Sequence, residues 1–129
     1  MNRSNNLRIF TLTKKKPLIN KADKMFSQYI RNRDGRCLKC GKQGILHCHH
    51  IISRSCKAVR WDEDNAISLC PGCHRNWGHA NPLEVAEFMQ IRLGIDEYRE
   101  LILKASKPVP LTVNHYLEVI ELLKQKGLK

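Results

Sequence analysis

Two cysteine pairs of identical spacing, Cys37-Leu-Lys-Cys40 and Cys70-Pro-Gly-Cys73, constrain this chain more than any other feature. Two residues between cysteines let a tight turn aim both sulfurs at one point, and Zn²⁺ takes four thiolates in a tetrahedron without redox chemistry of its own. Gly41 after the first pair and Pro71-Gly72 inside the second supply the turn residues. Disulfides fit poorly, because the basic N-terminal cluster follows a short mixed stretch rather than the long apolar core of a secretory leader. A redox Cys-x-x-Cys would leave the second pair unexplained. The pattern predicts a structural zinc on Cys37, Cys40, Cys70 and Cys73, with Cys48 and Cys56 as ordinary thiols.

A chain of 129 residues and 15.0 kDa suits one core with appendages. Hydrophobic residues make up 42% and charged residues 27%, and no apolar run approaches the ~20 residues of a bilayer span. The expectation is a cytoplasmic protein, in the host cytoplasm if a phage encodes it. The net charge of +11 is uneven: residues 1–36 hold ten basic and two acidic side chains, a surplus of +8. Such a basic segment suits a polyanionic partner such as DNA, and serves equally to keep a small protein in solution.

Periodicity orders the rest. Residues 1–19 read as a basic arm and 20–129 as one domain, with a core at 34–80 and a helical part at 81–129. From about Asn20 to Arg33, Met25, Phe26, Tyr29 and Ile30 recur at helical spacing, before the Asp34-Gly35 stop. Residues 45–52 and 66–69 read as short strands separated by a polar loop. Asn81-Pro82-Leu83-Glu84 has the form of a helix start running to about Arg92, Asp96 is placed to cap a helix to about Ala105, and Thr112 to open a last one. Tyr116, Leu117, Ile120 and Leu123 line one face of that last helix.

The 29 residues between Cys40 and Cys70 exceed what a four-cysteine ribbon needs, and they contain His47-Cys48-His49-His50. Each imidazole in a packed strand needs a polar partner, so a second metal is the economical explanation. His74 directly follows the second pair, and the zinc would bring it toward the histidine strand. Asn65, just before the second strand, can hold the loop through its amide. Alternation puts His47 and His49 on one face, so either could be the ligand, and His50 joins them only where the strand end bends. His79 could be a third ligand, a phosphate contact or a surface residue.

His50, Asn65 and His74, fifteen and nine residues apart and flanked by the cysteine pairs, resemble the three name-giving positions of the zinc-containing HNH endonucleases. The resemblance implies an α+β fold: a small zinc-stabilised ββα-metal core, here with an N-terminal basic helix and C-terminal helices. It also implies His50 as general base, Asn65 as the residue orienting its loop, and Mg²⁺ or Mn²⁺ on His49 and His74, with 5′-phosphate and 3′-hydroxyl products. A narrower similarity covers about residues 20–129. Arg33-Asp34, Cys37-x-x-Cys40-Gly41, His50, Arg60-Trp61-Asp62-Glu63-Asp64-Asn65 and the second cysteine pair resemble the phage NinG/Rap recombination endonucleases, which act on branched DNA.

Arg54, Arg60 and Arg75 lie near the motif and, with Lys14, Lys15 and Lys16, are candidates for phosphate contacts. The expected function is a metal-dependent DNA endonuclease acting on branched recombination intermediates. Two alternatives stay open: a zinc DNA-binding module without chemistry, and an HNH subunit of a phage DNA-packaging complex. A homodimer through the helical tail, or a phage recombination or packaging partner, is compatible with the apolar faces at 82–126.

Overall fold

A computed structural model describes residues 14–127. They form helix α1 (Lys15–Asp34), strand β1 (His47–His50), a 3-10 turn (Glu63–Asn65) and strand β2 (Ala66–Leu69). A helical turn α2 (Pro71–Cys73), a π-helical turn (His74–Gly78) and helices α3 (Pro82–Leu93), α4 (Ile95–Ala105) and α5 (Val113–Gly127) follow. Two compact units are present, one of 14–29 with 110–127 and one of 30–109. None of the described helices is long and apolar enough to cross a membrane.

In the first unit, α1 buries Leu18, Ala22 and Phe26, and α5 buries Tyr116, Ile120 and Leu123. Spacings of three and four residues put each set on one face of its helix. The boundaries differ from expectation. Helix α1 starts at Lys15 instead of near Asn20, Met25 and Tyr29 are only half-buried, and Leu117 is exposed. Residues 1–13 of the expected arm lie outside the described residues.

The second unit carries the mixed core. β1 and β2 pair antiparallel with His47 opposite Leu69, His49 opposite Ile67 and His50 opposite Ala66. All four residues of β2 are buried, whereas β1 buries His49 alone. Ile67, Leu69, Cys37, Cys70, Trp77, Val85 and Met89 form one apolar cluster. This small two-stranded sheet with helices and a four-cysteine cluster is the α+β core expected from the sequence.

Asp34, at the end of α1, fastens that core. Its carboxylate accepts the backbone N–H of Ser68 at 2.8 Å and the Arg33 Nε at 2.8 Å. Arg33 also donates to the carbonyls of Glu63 at 2.6 Å and Ala66 at 2.8 Å. One arginine and one carboxylate thus bind both the entry and the middle of β2 with charge-assisted bonds. Farther on, Asn81 makes no side-chain cap bond and Gly94, not Asp96, caps α4. Gly94 has φ +85°, a left-handed conformation a side chain would strain, while Asp96 sits in the first turn facing the positive helix end.

Candidate functional site

The four cysteines converge as their spacing required. The Sγ atoms of Cys37, Cys40, Cys70 and Cys73 all lie within 4.8 Å of one another, and Cys40 Sγ to Cys70 Sγ is 3.8 Å. A tetrahedron with Zn–S bonds of ~2.3 Å has S–S edges of roughly 3.8 Å. The first pair sits in a turn closed by Gly41 N–H to the Cys37 carbonyl at 2.8 Å, with Gly41 at φ +80°. The second opens a helical turn in which Cys70 Sγ accepts the Cys73 N–H at 3.4 Å. Burial would raise the Cys37 thiol, but hydrogen bonds from the Cys40, Cys70 and Lys39 backbones outweigh it and bring the pKa down to about 6. Burial and the neighbouring sulfurs push Cys73 up to about 12. Four thiols this close cannot all ionise without a cation among them, so the set suits zinc.

A second cluster lies where strand β1 meets the π-helical turn. One nitrogen each of His49, His74 and His79 falls within 4.8 Å of the others, and the ring centroids stand 5.1 Å (His49–His74), 5.0 Å (His49–His79) and 4.4 Å (His74–His79) apart. Five residues separate His74 from His79, and on an α-helix they would point about 140° apart. The π-helical turn brings them together, closed by the His79 N–H to the His74 carbonyl at 3.0 Å. Gly78 in that turn is the close-packing point. A Cβ there would lie 2.9 Å from Leu69 Cδ1 and 3.2 Å from His49 Cε1.

This cluster fits a divalent cation. His49 is 5% exposed, and its Nδ1 is buried without a hydrogen-bond partner, a cost that a bound cation would remove. Burial, then the nearby His74, His79 and His50, push the His49 pKa down to about 4, and burial and His79 lower His74. Both rings therefore stay neutral at pH 7 with a lone pair to give. His47 lies on the same strand face, as alternation requires, and its Nδ1 is 3.0 Å from Nδ1 of His74. Sequence reasoning assigned it no bond to His74; the shared face with His49 was the available signal.

His50 lies beside this cluster. β1 ends at His50 and the chain bends over 51–52, so both His49 and His50 line one open cleft of about 550 Å³, with His74, Gly78, His79 and Arg54. The His50 Nε2 is 2.8 Å from the carbonyl oxygen of Arg60. A carbonyl only accepts, so Nε2 carries the proton and Nδ1 of the neutral ring is an acceptor. Asn65, fully buried, holds the loop between them: its Oδ1 accepts the Ile52 N–H at 2.8 Å, and its Nδ2 donates to the carbonyls of Ile52 at 3.1 Å and Val59 at 3.0 Å.

The basic candidates separate. Arg54 lines the cleft, Arg60 donates to the Arg54 carbonyl at 3.1 Å, and Arg75 is exposed on the π-helical turn outside the cleft lining. Lys14, Lys15 and Lys16 are exposed at the start of α1, in the other unit.

Comparison of the chain with curated proteins and with solved structures found no match. The model of the HNH endonuclease family matches residues 36–79, the stretch that holds both cysteine pairs, all five clustered histidines and Asn65, and this segment is an HNH endonuclease domain.

Proposed function

We propose that the chain is a metal-dependent DNA endonuclease whose site is the cleft of His49, His50, His74 and His79. The observation that carries this reading is the position of His50. It lines the same cleft as a three-histidine cation site, and its proton is held on Nε2 by the Arg60 carbonyl. Phosphodiester hydrolysis needs an activated water, positive charge on the phosphate oxygens and help for the leaving group. His50 Nδ1 accepts the proton of the attacking water. His49, His74 and His79 would hold the cation. Mg²⁺ or Mn²⁺, when bound, polarises the phosphate and stabilises the leaving 3′ oxygen, with 5′-phosphate and 3′-hydroxyl ends as products. Arg54 pairs with a phosphate oxygen at the cleft wall. Asn65 positions His50 by bracing the loop that carries the Arg60 carbonyl.

The family match supports DNA as partner, and the basic exposed lysines 14–16 supply charge for its backbone. Branched recombination intermediates are the proposed substrate, on the resemblance to the NinG/Rap enzymes at Arg33-Asp34 and Arg60 to Asn65. The test is cleavage of supercoiled plasmid and of a synthetic four-way junction by the wild type and His50→Ala, with Mg²⁺, Mn²⁺ or EDTA. Cutting that needs metal and His50, with DNA binding retained in the variant, establishes the nuclease, and faster cutting of the junction supports the branched substrate. A wild type that binds DNA and cuts neither substrate with any metal refutes it in favour of a binding module or a packaging subunit.

A further inference from the structure

We infer that His47 is a positioning residue for the cation site: it accepts the Nδ1 proton of His74 and so holds the Nε2 lone pair of His74 toward the cation. The inference rests on the proposed three-histidine site and adds to it a residue that lies outside the three-nitrogen cluster. His47 and His74 approach through Nδ1 on both rings, 3.0 Å apart, with the rings nearly perpendicular at 74°. Two bare nitrogens at that distance repel, so one of the two must carry a proton. If the proton sits on His74, its Nδ1 is spent on His47 and Nε2 is left bare. A ring that ligates a metal with one nitrogen ordinarily gives the other N–H to a fixed acceptor, which sets the tautomer and the angle of the ring.

Geometry favours His47 for this task over any other group. It precedes His49 by two residues on β1 and therefore shares its face, opposite Leu69 in the register. His74 thus contacts both strand histidines, His49 at 5.1 Å and His47 at 5.1 Å between ring centroids. His47 is exposed, so its removal leaves no hole in the core. Exposure also explains why the residue contributes through His74 and not through burial.

The experiment is calorimetric titration of Ni²⁺, an ion that imidazole sites favour, into zinc-loaded protein carrying no affinity tag. Wild type, His47→Ala, His47→Asn and His49→Ala are compared, and zinc content and circular dichroism are measured on each. Asn places a carbonyl oxygen near the position of the lost Nδ1, so it keeps the acceptor. The expected result is Ni²⁺ affinity weakened roughly tenfold or more in His47→Ala, in the range such outer contacts carry, and largely restored in His47→Asn. Nitrogen-15 spectra of the metal-free wild type should show the His74 proton on Nδ1, and His47→Ala should show a mixture of tautomers. Ni²⁺ binding lost in His49→Ala but within twofold of wild type in His47→Ala overturns the inference and leaves the three-histidine site standing. A wild type that binds no Ni²⁺ beyond its zinc overturns both.

Discussion

The ring of His50 is tethered to the backbone of Arg60, not to its side chain: Nε2 lies 2.8 Å from the Arg60 carbonyl oxygen. The tether therefore survives replacement of the arginine. Its guanidinium instead donates to the Arg54 carbonyl and lies over the Trp61 ring, 5.6 Å from its centroid. Arg60→Ala is expected to leave kcat within about threefold of wild type while raising KM for DNA, since only uniform binding is removed. His50→Ala is expected to lower kcat by at least ~100-fold with DNA affinity unchanged. Steady-state cleavage and a mobility shift on the same duplex separate the two, and a larger fall in kcat for Arg60→Ala would place its side chain in the chemistry.

Asn65 joins Ile52 and Val59 through three bonds in a place with no water access. Its removal strands the Ile52 N–H and two carbonyls, so Asn65→Ala should cost about 3 kcal/mol, read as a lower urea midpoint. Asn65→Asp keeps an acceptor for Ile52 but loses both donors and buries a charge. It should be no better than alanine. A destabilisation below about 1 kcal/mol in both variants would show that the loop is held by other means.

The cysteine pairs and the intervals from His50 to Asn65 to His74 were legible because metal coordination and a short ββ unit impose spacing on sequence. His79 was legible only as one of three possibilities, a third ligand, a phosphate contact or a surface residue, because residues five apart diverge on the α-helix that sequence reasoning assumes, and only the π-helical turn closes them to 4.4 Å. Gly78, which permits that closeness, carried no sequence signal of its own. Arg33 read as a basic charge and, with Asp34, as part of a family-like pattern, but not as a clamp on β2, because its partners Glu63 and Ala66 lie thirty or more residues away. The first strand was overextended, since Ile45 to Ile52 is apolar and His-rich in pattern while only His47–His50 finds a partner in β2, whereas the second was read at its observed bounds, 66–69.

Gly78→Ala tests the close approach directly. The added Cβ would meet Leu69 Cδ1 at 2.9 Å and His49 Cε1 at 3.2 Å, and both neighbours are buried. One must move. The variant should lose about 1–3 kcal/mol and bind Ni²⁺ at least tenfold more weakly, with zinc still at one per chain by metal analysis. Wild-type affinity in a folded variant would show that His49 is not held against the π-helical turn.

Acid should weaken the folded state through His49. Burial and the neighbouring histidines lower its pKa from 6.5 to about 4 in the folded chain, while the unfolded chain takes up the proton near the ordinary value. Between those pH values the unfolded state binds more protons, so stability is complete above about 6.5 and falls as pH drops toward 4. From pH 7 to pH 5 this amounts to about 2 kcal/mol. His49→Gln, which cannot titrate, should lose correspondingly less over the same interval in urea titrations without added divalent cation, and equal losses in the two proteins would refute the assignment.

Zinc removal should unfold the 30–109 unit as a whole and not only the cysteine turns. Cys37 and Cys70 are themselves members of the apolar cluster with Ile67, Leu69, Trp77, Val85 and Met89, so the metal and the core share side chains. The first turn is also bound to β2 by the Leu38 N–H to the Ser68 carbonyl at 3.0 Å. Without the cation, thiolate repulsion opposes the convergence of four sulfurs, and the folding free energy that the metal supplies is lost. A strong chelator should therefore red-shift tryptophan emission as buried Trp77 reaches water, and lower the helical circular dichroism in the same transition. Cys37→Ser should do the same in the presence of excess zinc, because its hydroxyl would be fully buried, and Cys40→Ser, at an exposed ligand, should show a milder form. Zinc loss with unchanged tryptophan emission would mean that the core of β2, α3 and the π-helical turn stands without its metal.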